Sequence, residues 1–70
     1  MIYVVTMYRW GDREKHSYVH GVFSTEEIAL AQAETEQMWR GGFKYVPEIV
    51  EFKLDDAEYF RVVLELKSVY

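Results

Sequence analysis

A helix start is written into the middle of this chain, and it dictates how everything on either side must be arranged. Ser24 carries the side-chain oxygen of an N-cap, and Glu27 three residues later completes a capping box. Phe23 before the cap and Ile28 after it have the spacing of a hydrophobic staple. Gly41 and Gly42 close the segment, because glycine readily takes the left-handed conformation in which helices stop. At 3.6 residues per turn, Ile28, Ala31, Thr35, Met38 and Trp39 share one face, while Glu26, Glu34 and Gln37 point away. The first set is the expected buried stripe.

Both flanks of the helix are rich in β-formers. Residues 2–10 and 16–23 predict two strands joined by the polar loop 11–15. Pairing Trp10 with His16, Tyr8 with Tyr18, Thr6 with His20 and Val4 with Val22 closes a five-residue hairpin loop, a common length. It puts Tyr3, Val5, Met7, Val19, Gly21 and Phe23 on the opposite face, with Arg9 across from Ser17. A slip of one residue would exchange the faces of one strand.

A third strand is expected over 43–54, where Pro47 requires an edge position or a bulge. Val50, Phe52 and Leu54 alternate with Glu51 and Lys53, one buried face against one wet face. Asp55 and Asp56 mark a turn. In the last segment Phe60, Val62, Leu64 and Leu66 alternate with Arg61, Glu65 and Lys67, which predicts a fourth strand with the apolar set facing the core. Its rival is a second helix capped by Asp55 or Asp56, or an exchanged arm; the Val62-Val63 pair favours a strand. The expected fold is thus α+β: a small antiparallel sheet in ββαββ order, with one helix on one face and a single domain spanning 1–70.

Length and composition narrow the function. Seventy residues support only a small core, which oligomerisation, metals or disulfides often supplement. The chain has no cysteine, so disulfides, thiol catalysis and Cys-based zinc sites are out, and a cytoplasmic location fits. No apolar run is long enough to span a membrane, and residues 1–6 do not have the pattern of a signal peptide. A net charge of −4 argues against general nucleic-acid binding.

Catalytic patterns are weak. His16 and His20 lie about 13 Å apart along a strand, too far for one metal ion, and no third ligand is evident. Ser17 and His16 point to opposite faces of a strand and cannot form a dyad. The helix carboxylates suit a solvated face, and the two glycines lack the Lys-Ser or Lys-Thr of a phosphate loop. No cofactor or enzymatic activity is expected.

Binding is the stronger expectation. If the staple assigns the face of Tyr3, Val5 and Met7 to the helix, the face left over holds Ile2, Val4, Thr6, Tyr8, Trp10, His16, Tyr18, His20 and Val22. An apolar and aromatic patch of that kind marks an interface. Val4, Thr6, His20 and Val22 are the candidates for self-association into a homodimer. Tyr8, Arg9, Trp10, Arg13, His16 and Tyr18 are the candidates for a partner or ligand. Arg beside Trp and Tyr suits a protein hot spot, a stacked nucleotide-like ligand, or simply a hairpin tip.

One further pointer is a resemblance. The strand Tyr3-Val4-Val5-Thr6, the polar hairpin, Gly21-Val22-Phe23-Ser24 leading into Thr25-Glu26-Glu27, an Ala-rich helix, and an acidic strand ending Leu54-Asp55-Asp56 are similar to small strand-strand-helix-strand domains of bacteriophages and mobile elements. It covers residues 2–56 and transfers no catalytic residue. The resemblance implies an accessory phage-type protein in the host cytoplasm that sequesters or inhibits a host protein.

Overall fold

The computed structural model describes residues 1–9, 17–40 and 44–64. Strands β1 (Ile2–Arg9) and β2 (Tyr18–Phe23) precede helix α1 (Glu26–Trp39), and β3 (Tyr45–Lys53) and β4 (Asp56–Leu64) follow it. The four strands form one antiparallel sheet in the order β2-β1-β3-β4, with the helix laid on one side. This is the expected ββαββ α+β fold, and the last segment is a strand as far as Leu64. Trp10, Arg13, His16, the loop 11–15, Gly41, Gly42 and Leu66 lie outside the described residues.

Strand alternation decides the core. Tyr3, Val5 and Met7 of β1 and Ile49 of β3 point to the helix and are buried against Ala29 and Ala33. The two alanines stand one turn apart. Their methyl groups let the helix approach the sheet closely, and Phe23, Tyr18, Tyr45, Val63 and Leu64 fill the margins.

That packing corrects the expected helix stripe. Ile28, Met38 and Trp39 stand in water, Trp39 at 82% of its full exposure, and Ala31 and Thr35 are exposed as well. The buried row is offset to Ala29 and Ala33, continuing to the half-buried Glu36. The cap moves too. Thr25, not Ser24, is the N-cap: its Oγ1 accepts from the Ile28 N–H at 3.2 Å and its carbonyl from the Ala29 N–H at 3.1 Å. Glu26 and Glu27 then occupy the first turn, where the helix dipole favours them.

The first hairpin follows the expected register from Tyr3–Phe23 through Val4–Val22 to Val5–Gly21, and then shifts. Thr6 pairs with Val19 and Met7 with Tyr18, so His20 is an extra residue in a β-bulge. The bulge swaps faces below it. Tyr18 and His20 turn towards the helix, and Val19 turns away. The predicted pairs Thr6–His20 and Tyr8–Tyr18 are replaced for that reason. At Gly21 a Cβ would meet Cζ of Phe23 at 2.9 Å, so that ring occupies the space a side chain would need.

In the second hairpin, Leu54 and Asp55 turn the chain, and Asp55 takes φ 62°, which Asp tolerates better than most residues. Asp56 Oδ1 accepts from the backbone N–H of Glu58 and of Tyr59. Pro47 sits opposite Met7 in an interior strand, but β3–β4 pairing among the described residues begins only at Ile49–Leu64, with a register shift after Ile49. Leu64, opposite Ile49, packs against the core as expected, but beyond the register shift the faces of this hairpin are the reverse of those expected. Glu51 is buried at 5% exposure beneath the helix side, while Val50 and Phe52 face away from it with the exposed Phe60 and Val62.

Candidate functional site

The side of the sheet away from the helix is where the unexplained apolar residues collect. The registers place Val22, Val4, Val50 and Val62 in one row crossing all four strands. A second row holds Ile2, Phe52 and Phe60, and a third holds Val19, Thr6 and Glu48. Tyr8 and Val46 finish one end, where the Tyr8 hydroxyl donates to Glu48 Oε1 at 3.3 Å. On the outer strands these side chains are well exposed: Val19 60%, Val22 56%, Phe60 65% and Val62 41%. Those on β1 and β3 are shielded only by their neighbours.

An antiparallel sheet with one wet face normally alternates apolar and polar residues. Here both sides are apolar. The middle of the open side is valine on every strand, with the carboxylate of Glu48 towards one end.

The polar chemistry lies on the helix side, in two knots. Glu51 accepts from the Tyr3 hydroxyl at 2.7 Å, from the Tyr59 hydroxyl, and from Arg61 at both oxygens, 3.2 and 3.0 Å. Arg61 also reaches Glu26 at 3.2 Å, tying β4 to the helix start. The Arg61 hydrogen bonds first, then those of Tyr59 and Tyr3, hold the Glu51 carboxyl down to about 2. The Tyr3 and Tyr59 hydroxyls are pushed up in return, chiefly by bonding to that carboxylate.

The second knot surrounds Glu36. The Tyr18 hydroxyl donates to Glu36 Oε2 at 2.6 Å, His20 Nδ1 lies 3.6 Å from the same oxygen, and Arg40 Nε is 3.5 Å away. His20 Nε2 meets Gln32 Oε1 at 3.2 Å. The Arg40 guanidinium lies over the rings of Tyr18 and Tyr45, themselves edge to face at 5.4 Å. Burial, then the bond to Glu36, pushes the Tyr18 hydroxyl up to about 12. Hydrogen bonding from Tyr18 in turn lowers Glu36.

Among the ten candidate residues, Val4, Thr6, Tyr8 and Val22 share the open side. Arg9, opposite Tyr45, alternates to the helix side, as do Tyr18 and His20 through the bulge. Trp10, Arg13 and His16 are outside the described residues. The open side also holds Val46, and with it Val50, Phe52, Phe60 and Val62, whose alternation predicts a buried face. Their alternation was visible, but the partner surface was not. Among the described residues, no three of His, Asp and Glu converge on a point that could hold a metal ion, and no helix is long and apolar enough to cross a membrane.

A scan against family models finds no match, and no curated protein or solved structure is significantly similar to the chain.

Proposed function

We propose that this chain is a non-catalytic binding protein whose contact surface is the open side of its sheet. The observation that carries the reading is the row Val22–Val4–Val50–Val62, apolar on every strand and, among the described residues, covered by no element of the fold. Patches of this kind are rare on monomers and mark places where another surface sits. Both polar knots favour a structural role for the titratable groups, because each carboxylate is engaged by hydroxyls and guanidinium of the same domain. The phage-type resemblance extends the reading to an accessory protein that sequesters or inhibits a host protein. A nucleotide-like ligand held between subunits by Arg9, Trp10, Arg13 and Tyr18 is the weaker alternative, since Tyr18 already serves Glu36.

The test is a double variant at the exposed margins of the patch, Val22→Glu with Phe60→Glu. Far-UV circular dichroism should show an intact fold, while self-association in the ultracentrifuge and capture of proteins from host lysate should both fall. Retention of every wild-type interaction would overturn the reading.

A further inference from the structure

We infer that the occupant of the open side is a second copy of this chain, packed sheet on sheet about a two-fold axis near Val4 and Val50. The inference rests on the open side being the contact surface, and it names the partner. Three observations favour a second copy.

The first is extent. Four strands about 4.8 Å apart, with a rise of about 3.3 Å per residue from Tyr8 to Ile2, make a patch about 20 Å on each edge. Such a patch projects about 400 Å² per copy, so two copies bury about 800 Å² before the relief of the side chains is counted, the size of a weak or transient association. Per copy, that is somewhat under a tenth of the 5116 Å² surface of the chain, close to the usual share for a small protein.

The second is charge. The chain carries −4, yet the helix acids Glu26, Glu27, Glu34 and Glu36 and the buried Glu51 all belong to the other side of the sheet. Glu48 beside the rows accepts a hydrogen bond from Tyr8 of its own chain, and Asp55, Asp56 and Glu58 lie by the β3–β4 turn, away from the Val4–Val50 centre. Two such sides can therefore meet without bringing like charges into the centre. A strongly basic partner would find little to pair with there.

The third is the size of the core. Among the described residues, the buried apolar side chains beneath the helix are Tyr3, Val5, Met7, Ala29, Ala33 and Ile49. A domain with so small a core commonly draws further stability from association. Valine faces related by a two-fold axis are self-complementary, and aligned packing of two sheets about 10 Å apart gives them a second core.

The chain has no native cysteine, so single replacements report directly on the geometry. Wild-type protein should sediment as a dimer, and its melting temperature should rise with concentration. Val4→Cys or Val50→Cys should be joined efficiently by a short bismaleimide, whereas Met38→Cys on the outer helix side should not. Val50→Glu should weaken self-association at least about a hundredfold, because it buries a pair of carboxylates in an apolar layer. The cysteine variants keep the test valid if that substitution unfolds the domain.

A wild-type protein that is monomeric up to about 1 mM, with a concentration-independent melt, would overturn the second copy. If Val22→Glu with Phe60→Glu still abolished capture of a host protein, the open side would remain the contact surface with a different occupant. A dimer bridged through Met38→Cys and not through Val4→Cys or Val50→Cys would overturn both readings.

Discussion

The Arg61 guanidinium holds both oxygens of Glu51, at 3.2 and 3.0 Å, across the β3–β4 pairing, and so keeps a carboxylate beneath the helix at a position where the strand pattern would have placed a solvent-facing residue. A buried charge is tolerated only when paired and hydrogen-bonded, and Tyr3 and Tyr59 complete its shell. Glu51→Gln removes the charge that Arg61 and both hydroxyls are arranged around. It should lower the urea midpoint more than loss of the helix cap does, and equilibrium denaturation checks this.

The same knot makes stability depend on acid. The folded Glu51 carboxyl titrates near 2, against 4.5 for free glutamate. Its stabilising contribution is complete above pH 4.5 and drains away as pH falls towards 2, because the unfolded chain takes up the proton first. Glu36, lowered by Tyr18, acts in the same direction. Urea midpoints measured across this range should fall steeply for the wild type and more gently for Glu51→Gln.

Tyr18 has the opposite dependence. Its hydroxyl is raised from 10.0 to about 12 by burial and by Glu36, so the folded state holds the proton longer. The contribution is present below pH 10 and is lost as pH rises towards 12. A tyrosinate absorbance titration should show late groups from Tyr3, Tyr18 and Tyr59, and their number should fall by one in Tyr18→Phe.

The helix cap can be tested by a pair of variants. Thr25→Ala removes the oxygen that accepts from the Ile28 N–H and should cost about 1 kcal/mol. Ser24→Ala, one residue earlier and exposed, should cost clearly less in the same thermal melts.

Trp39 and Ala33 test which side of the helix is covered. Trp39→Ser should change stability by no more than about 0.5 kcal/mol, since the ring stands in water. Ala33→Leu should cost about 1–3 kcal/mol, because no space remains between helix and sheet. The reverse ranking in chemical denaturation would restore the stripe of Ile28, Met38 and Trp39 to the core.

Local signals determined much of this protein. Strands broken by turn residues, a cap near residue 24 and the Val4–Val22 register are short-range matters, set by propensity and by neighbours in the chain, and they define the ββαββ order. Which side of each element is covered was decided elsewhere. The stripe of Ile28, Met38 and Trp39 is the more apolar, but Ala29 and Ala33 let the backbone come close, and the bulky Tyr3, Met7 and Phe23 come from the sheet instead. His20 enters a bulge because Tyr18 and His20 both find Glu36 there, eighteen and sixteen residues along the chain. Val50, Phe52, Phe60 and Val62 alternate as a buried set should, and the sequence shows that they want cover. Only the sheet order reveals that they share a side with Val4 and Val22 that the helix does not reach, because alternation gives the period of a strand and never the identity of what lies against it.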